Sequence, residues 1–428
     1  MIKAIRASLY GHTLGFLAED NGQYVFKYEK DFQKLGMQPA PIYMDTKRAS
    51  HRFPELKGTS FDGLPGLISD SIPDHYGTQV IRKYFSSIGV DPNSITALDK
   101  LAYIGERGFG ALVFAPAKDV QRNAADPNIE LFTLWDESRK VLKDGGPSEE
   151  ISWVYTFGGT AGGARAKAAV LFDKEYGLFS IREDSIRQGY SHWLLKFDGI
   201  SKDDNGRPMP YERMEYIYSL LAVDAGIVVP ETSYVEEPSG MFHFLVKRFD
   251  RHVDEDAQET RKLHVQTMSA LLHNDHNDQR SLDYIDVLSA IKQITGSAGE
   301  TLQAYRRMVF NILSHNYDDH SKNISLTMDT GGVWSLSPAY DNVYTNDKNW
   351  FQNGHQITVN QKSKLITKAD VLLVAQRLDI SKTKAQAVIC DVRDAMTGWE
   401  KYAHQVELDA RFPDYVKEVR AGLDSVHF

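Results

Sequence analysis

Residues 316–323 read Asn316-Tyr317-Asp318-Asp319-His320-Ser321-Lys322-Asn323, the densest polar cluster in the chain. The cluster directly follows an apolar helix stripe (Met308, Val309, Ile312, Leu313) and directly precedes a strand, Ile324-Ser325-Leu326. A loop pinned between a buried helix and a strand is a rigid platform for reactive groups. The strand opens a hairpin over Asn323 to Pro338 that turns at Asp329-Thr330-Gly331-Gly332. A second polar turn, Ser337-Pro338-Ala339-Tyr340-Asp341-Asn342, closes it.

Asn323 stands five positions after Asp318. That is the offset between base and metal-binding amide in the D-x-x-x-x-N loops of phosphoryl transfer. Such chemistry needs a carboxylate to orient and deprotonate a hydroxyl, and an amide oxygen with a second carboxylate to hold Mg2+. Asp341, on the second turn, supplies that carboxylate. A cation for the phosphates belongs on an earlier strand, and Lys196 lies within the mostly apolar Trp193-Leu194-Leu195-Lys196-Phe197. An unpaired ammonium is costly to bury, so Lys196 requires a partner, for which Glu215 on the next helix is the candidate. Gly158-Gly159-Thr160-Ala161-Gly162-Gly163-Ala164-Arg165-Ala166-Lys167 is the one strongly Gly-rich stretch. It is neither a Walker A loop, which needs Lys-Ser/Thr where Arg165-Ala166 stands, nor G-x-G-x-x-G. Its glycines still let a backbone approach phosphate oxygens closely.

Around these blocks the chain changes character. Tyr24, Phe26 and Tyr28 alternate with Val25 and Lys27 as in a strand, and Asp20-Asn21-Gly22 signals a hairpin. With a turn at Gly11-His12, residues 2–30 read as a three-stranded meander. Phe61-Asp62-Gly63-Leu64-Pro65-Gly66 is a turn. Ser71-Ile72-Pro73-Asp74 then leads into a helix with the stripe Val80, Ile81, Tyr84, Phe85, Ile88, capped by Gly89. Helices are expected over 94–104 and 131–142, a strand over Ala111–Phe114, and a boundary in the loop 144–147. Beyond it come strands, a helix near 209–225, a β pair ending at Arg251, and mainly helix thereafter. His273 to Asp278 reads as a solvated loop, and Cys390 as a core position of a helix over 385–396. The fold class is α+β, with a sheet-rich first lobe and a helical last lobe, divided 1–146, 147–251 and 252–428.

With 428 residues and 42% hydrophobic content, the chain has ample material for a dry core and two or three domains. Only 31 Gly and 15 Pro, beside 25% charged residues, exclude collagen-like and low-complexity chains. The net charge of −9 excludes a chain-wide basic coat for nucleic acid. A single cysteine can form neither an internal disulfide nor a multi-thiolate metal site, which fits a reducing compartment. No apolar run nears the ~20 residues of a membrane helix, and Lys3 and Arg6 have no apolar block behind them, so no signal peptide is expected. The expectation is a cytoplasmic protein without membrane contact.

Four blocks, in this order, resemble those of the HipA-like serine/threonine kinases, the toxin half of bacterial type II toxin–antitoxin modules. They are Thr160 to Lys167, Leu194-Leu195-Lys196, Val246-Lys247-Arg248-Phe249-Asp250-Arg251, and Asn316 to Asn323 with Pro338-Ala339-Tyr340-Asp341. Upstream, Phe61 to Gly66 with Pro73-Asp74, and Ile104-Gly105-Glu106-Arg107-Gly108, resemble the family's N-terminal subdomain. The resemblance implies a two-lobed protein-kinase-like fold with an added N-terminal subdomain, using ATP and Mg2+. Asp318 would be the catalytic base and His320 would support its loop, while Asn323 and Asp341 would hold Mg2+. Lys196, clamped by Glu215, would contact the ATP phosphates beneath Gly162, Gly163 and Lys167, and the backbone at Lys247 and Phe249 would receive adenine. Thr160 stands where the family carries a hydroxyl whose autophosphorylation switches the kinase off. Arg165 departs from the family's usual Gln, and Asp319 from a frequent Gly; the D-x-x-x-x-N offset favours Asp318 as base. The implied substrate is a translation component such as an aminoacyl-tRNA synthetase. The implied partner is a helix-turn-helix antitoxin encoded nearby, through which this acidic chain would reach DNA.

Two other readings use the same residues. One is a catalytically silent kinase-like corepressor that binds nucleotide or antitoxin. The other is a metal-dependent phosphohydrolase built on His315, Asp318, Asp319 and His320.

Overall fold

A computed structural model describes residues 2–117, 131, 135–136, 165–180, 189–199, 209–254, 259–345 and 354–425. The early alternation builds β1 (Ala4–Leu9), β2 (His12–Asp20) and β3 (Gln23–Tyr28) as antiparallel neighbours. The first turn is Tyr10-Gly11, both at positive φ, one residue earlier than expected, and Asn21-Gly22 makes the second in the same conformation. Two strands extend the sheet: β4 (Ser50–Arg52) beside β3, and β5 (Leu112–Ala115) beside β1, in the order β4-β3-β2-β1-β5. The helix His75–Ser87 buries Val80, Ile81, Tyr84 and Phe85 in the core, Tyr84 and Phe85 against Tyr103. Ile88 corrects the expected stripe: it caps the helix, where the chain turns away, and is 52% exposed. The helix Ala97–Ile104 starts at a capping box of Thr96 and Asp99, which fixes its first turn later than position 94. The expected helix over 131–142, apart from Leu131, Trp135 and Asp136, lies outside the described residues, as does the boundary loop 144–147.

The second sheet forms the floor of the site. It contains β6 (Lys167–Asp173), β7 (Leu178–Ser180), β8 (Tyr190–Lys196), β9 (Thr232–Glu236) and β10 (Phe242–Lys247), ordered β7-β6-β8-β10-β9. The helix Tyr211–Asp224 packs on β10. A two-stranded ribbon, β11 (Arg251–Asp254) with β12 (Glu259–Lys262), leads to a small sheet of β13 (His264–Thr267), β14 (Ser325–Met328) and β15 (Trp334–Leu336).

Helices then dominate: Tyr284–Thr295, Ala298–Leu313, Lys368–Arg377, Lys382–Met396, Trp399–Gln405 and Pro413–Leu423. Side chains of Asp283, Ser297, Thr367 and Ser381 cap the first four at their N-termini. One continuous apolar core runs through both lobes. Cys390 is not part of it. The helix Lys382–Met396 buries Ala385, Val388, Ile389 and Val392, and this phase leaves Cys390 exposed. The architecture is the expected two-lobed, kinase-like α+β fold. Among the described residues, no helix is long and apolar enough to cross a membrane.

Candidate active site

Met308, Val309, Ile312 and Leu313 are buried, so the helix Ala298–Leu313 is anchored in the core up to its last turn. His315, at positive φ, reverses the chain into the polar loop. The loop is tied from both sides. The Asn316 amide donates to Asn311 Oδ1 at 3.0 Å, and Thr345 Oγ1 accepts the N–H groups of Tyr317 (2.6 Å) and Asp318 (3.1 Å). At the far end Asn323 Nδ2 donates to the Asp318 carbonyl at 2.8 Å. That bond leaves the amide oxygen of Asn323 as the group available to a metal ion.

The adjacent acids have different surroundings. Asp319 is buried and accepts from Tyr284 O–H at 3.0 Å, from His355 Nδ1 at 2.9 Å and from the Gln356 N–H at 2.8 Å. It holds the loop. The Asp318 side chain is 37% exposed. Its Oδ1 accepts from the Gln356 amide at 2.8 Å, and His320 Nε2 stands 3.7 Å from the same oxygen. Asp319→Ala is expected to cost about 3 kcal/mol of stability, because three buried donors lose one acceptor. A urea-unfolding change below about 1 kcal/mol would remove this role.

Lys196 ends β8 at 3% exposure, and its ammonium contacts the carboxylates of both Glu215 and Asp341. Glu215 therefore does not lie on an open helix face. Arg165 holds its other oxygen at 2.7 Å and stacks over the Tyr211 ring at 4.0 Å. Burial disfavours the Lys196 charge, but Asp341 and Glu215 outweigh it and hold the ammonium above its ordinary range. Burial likewise opposes the Asp341 charge, and Lys196 and Lys167 overcome it, holding that carboxyl well below the usual carboxylate range. Asp341 itself sits at φ 55°, a strained conformation that aims its side chain at the cluster. Lys167 lies opposite Lys196 in the sheet register, 5% exposed. Its ammonium makes no hydrogen bond to a described residue, and burial followed by Lys196 pulls it down to about 8. A buried ammonium of this kind, beside a second one, fits a place for phosphate oxygens. The Asn323 amide oxygen and the Asp341 carboxylate, the latter beside Lys196, are the oxygen donors that could hold a hard cation such as Mg2+.

The structure thus brings Lys196, Glu215, Asp341 and Lys167 into one cluster, and Tyr340, next to Asp341, ties the polar loop to it by donating its hydroxyl to the Lys322 carbonyl at 2.8 Å. Gly162, Gly163 and Thr160 lie outside the described residues. Lys247 donates its N–H to the Glu231 carbonyl at 2.9 Å and its ammonium to the Glu231 carboxylate at 3.2 Å, so neither is left for adenine. The Phe249 ring stacks on Tyr340 at 5.8 Å, beside Asp341. The four-residue hydrolase cluster does not assemble. His315 turns to the Tyr317 hydroxyl at 2.8 Å, while Asp319 is occupied by Tyr284, His355 and Gln356.

Residues 273–278 correct the expectation of a solvated loop. His273 Nε2 accepts the Gly66 N–H at 3.1 Å, Asp275 the Ser60 N–H at 3.2 Å, and Asn274 Oδ1 the Ser321 hydroxyl at 2.8 Å. The segment ties the first sheet's subdomain to the polar loop, and Asp74 reinforces it by pairing with Lys322 at 2.5 Å. Sequence reasoning missed Thr345, His355 and Gln356, all polar residues after Asp341 in a stretch without a recognisable motif.

A family model for the HipA-like C-terminal domain matches residues 159–399, and one for the HipA N-terminal domain matches residues 5–115. No curated protein matches the chain. Among solved structures, the chain is similar to one in the Shewanella oneidensis MR-1 toxin–antitoxin complex of HipA, HipB and operator DNA. The TM-score is 0.68 at 16% identity, covering 98% of this chain and 95% of that one. The Helicobacter pylori proinflammatory kinase CtkA aligns at TM-score 0.31 and 14% identity, over 51% of this chain and 89% of that one.

Proposed function

The chain belongs to the HipA-like family, and from that premise we propose that it is an ATP- and Mg2+-dependent protein serine/threonine kinase, the toxin of a type II toxin–antitoxin pair. The observation that carries this reading is the contact of one buried ammonium, Lys196, with both Glu215 and Asp341. A structural lysine needs one carboxylate; two, from a helix and a strained turn, support reading Lys196 as the phosphate-binding cation and Asp341 as the metal-binding acid.

In this mechanism Lys196 and Lys167 bind the ATP phosphates, and Glu215 keeps Lys196 aimed at them. Asn323 and Asp341 would hold Mg2+, which neutralises charge on the phosphoryl group in flight. Asp318 orients the acceptor hydroxyl and takes its proton. Asp319, buried and fully engaged, fixes the loop that carries Asp318. The substrate we propose is a component of the translation machinery, and the regulatory hydroxyl is Thr160. The partner is a helix-turn-helix antitoxin. The likeness to a chain from a complex with HipB and operator DNA supports such a partner, and the net charge of −9 favours DNA contact through it.

The test is labelling by γ-32P-ATP, with a bacterial cell extract as acceptor. Discrete phosphoserine- or phosphothreonine-containing bands are expected with Mg2+ and none with excess EDTA. Release of inorganic phosphate without any phosphoprotein would overturn the reading.

A further inference from the structure

Asp318 has two carboxylate oxygens, and only one of them can meet a substrate hydroxyl. An Asp carboxylate rotates over a broad, nearly two-fold χ2 well, so a loop that fixes the backbone does not by itself fix the oxygens. Gln356 does. Its amide donates to Asp318 Oδ1 at 2.8 Å, whereas Oδ2 has no hydrogen-bond partner among the described residues. His320, whose Nε2 is 3.7 Å from Oδ1, is beyond hydrogen-bonding reach of it.

Gln356 is itself immobilised. It is 7% exposed, its N–H donates to Asp319 Oδ1 at 2.8 Å, and its carbonyl accepts the Arg280 N–H at 2.7 Å. The buried acid of the Asp318-Asp319 pair therefore sets the exposed one through a single intervening residue. Asp319 holds the Gln356 backbone, and the Gln356 side chain holds Asp318.

We propose that Gln356 is a positioning residue for phosphoryl transfer, occupying Asp318 Oδ1 so that Oδ2 faces the acceptor hydroxyl. The inference rests on the reading of Asp318 as the base. Gln356 bonds to Asp318, Asp319 and Arg280 and to none of Lys196, Lys167, Asn323 or Asp341, so it is expected to act on the rate at saturating ATP and not on ATP affinity.

Gln356→Met keeps the side chain's length and removes its donor. Using γ-32P-ATP and cell extract, the maximal labelling rate is expected to fall roughly tenfold to a hundredfold, the loss typical of a misplaced reacting group. The ATP concentration giving half-maximal rate and the melting temperature should stay unchanged. Added to Asp318→Asn, the same substitution should cause no further loss, since the two residues act as one unit. A wild-type rate in Gln356→Met, or an equal loss in the Asp318→Asn background, overturns the proposal. Should the Met variant melt early, Gln356→Leu, which also lacks a donor, is judged by the same two outcomes. If Asp318→Asn alone retains full transfer, the base assignment has failed, a result distinct from failure of Gln356.

Discussion

Asp318→Asn is expected to lower phosphoryl transfer by about 10³-fold while leaving ATP binding and folding intact. The prediction is clean because asparagine preserves what Asp318 does structurally. Its Oδ1 still accepts from the Gln356 amide, and its backbone groups still meet Thr345 and Asn323. Only the charge that accepts a proton is lost. The neighbouring substitution, Asp319→Asn, should behave in the opposite way. An amide there turns two N–H donors towards a site already filled by donors from Tyr284, His355 and Gln356, so destabilisation precedes any loss of rate. Comparing ATP affinity, melting temperature and labelling rate for the pair separates base from anchor. Full transfer by Asp318→Asn would remove the base assignment.

Asp250→Ala is expected to cost about 3–5 kcal/mol of unfolding free energy. Asp250 is completely buried and accepts from Arg248 Nη2 at 2.8 Å, Arg251 Nη1 at 2.5 Å and the Gly110 N–H at 2.8 Å. Both arginines, themselves 4% and 2% exposed at the side chain, also reach carbonyls of the first subdomain: Arg251 donates to Gly110 at 2.8 Å and Gly108 at 2.6 Å. The Arg248-Phe249-Asp250-Arg251 block thus locks the lobes' connecting strand to the Gly105–Gly110 turn. Without the carboxylate, two guanidinium charges remain buried without their shared counter-ion. Urea denaturation is the measurement, with the exposed pair Asp31–Lys34 as a control whose loss should be undetectable.

The same group gives a pH dependence. Burial would raise the Asp250 carboxyl, but Arg248 and Arg251 outweigh burial and lower it from 3.8 to about 2. The folded value is depressed, so the stabilisation is complete above pH 3.8 and disappears as pH falls through about 2. The stability difference between wild type and Asp250→Ala should therefore shrink across that window. A difference that stays constant down to pH 2 would place the effect in packing and not in charge.

Particular residues show how far the chain could be read unaided. Lys196 announced itself because an ammonium in an apolar strand demands a partner, and Glu215, on the next helix, met that demand. Asp341 was legible as the acid after the hairpin, but its contact with Lys196 was not, since nothing local brings positions 145 residues apart together. Arg165 looked like a departure in the Gly-rich loop, yet it holds the second oxygen of Glu215. Ile88 and Cys390 failed for a different reason. A stripe gives the phase of a helix but not the point at which the chain leaves the core, or how wide the buried face is.

What the amino-acid order determined on its own is the inventory and its local geometry: alternation in the first strands, the Asn21-Gly22 hairpin turn, the apolar stripe before the polar loop, and the five-residue spacing from Asp318 to Asn323. These depend on interactions within a turn or two of chain, where backbone sterics and side-chain period decide the outcome. Only the tertiary structure decided which of two adjacent acids is buried, that Gln356 occupies one oxygen of Asp318, and that Asp250 joins two subdomains. Those choices depend on which distant donors reach a given carboxylate once the core has closed, and burying a charge is tolerable only where such donors converge.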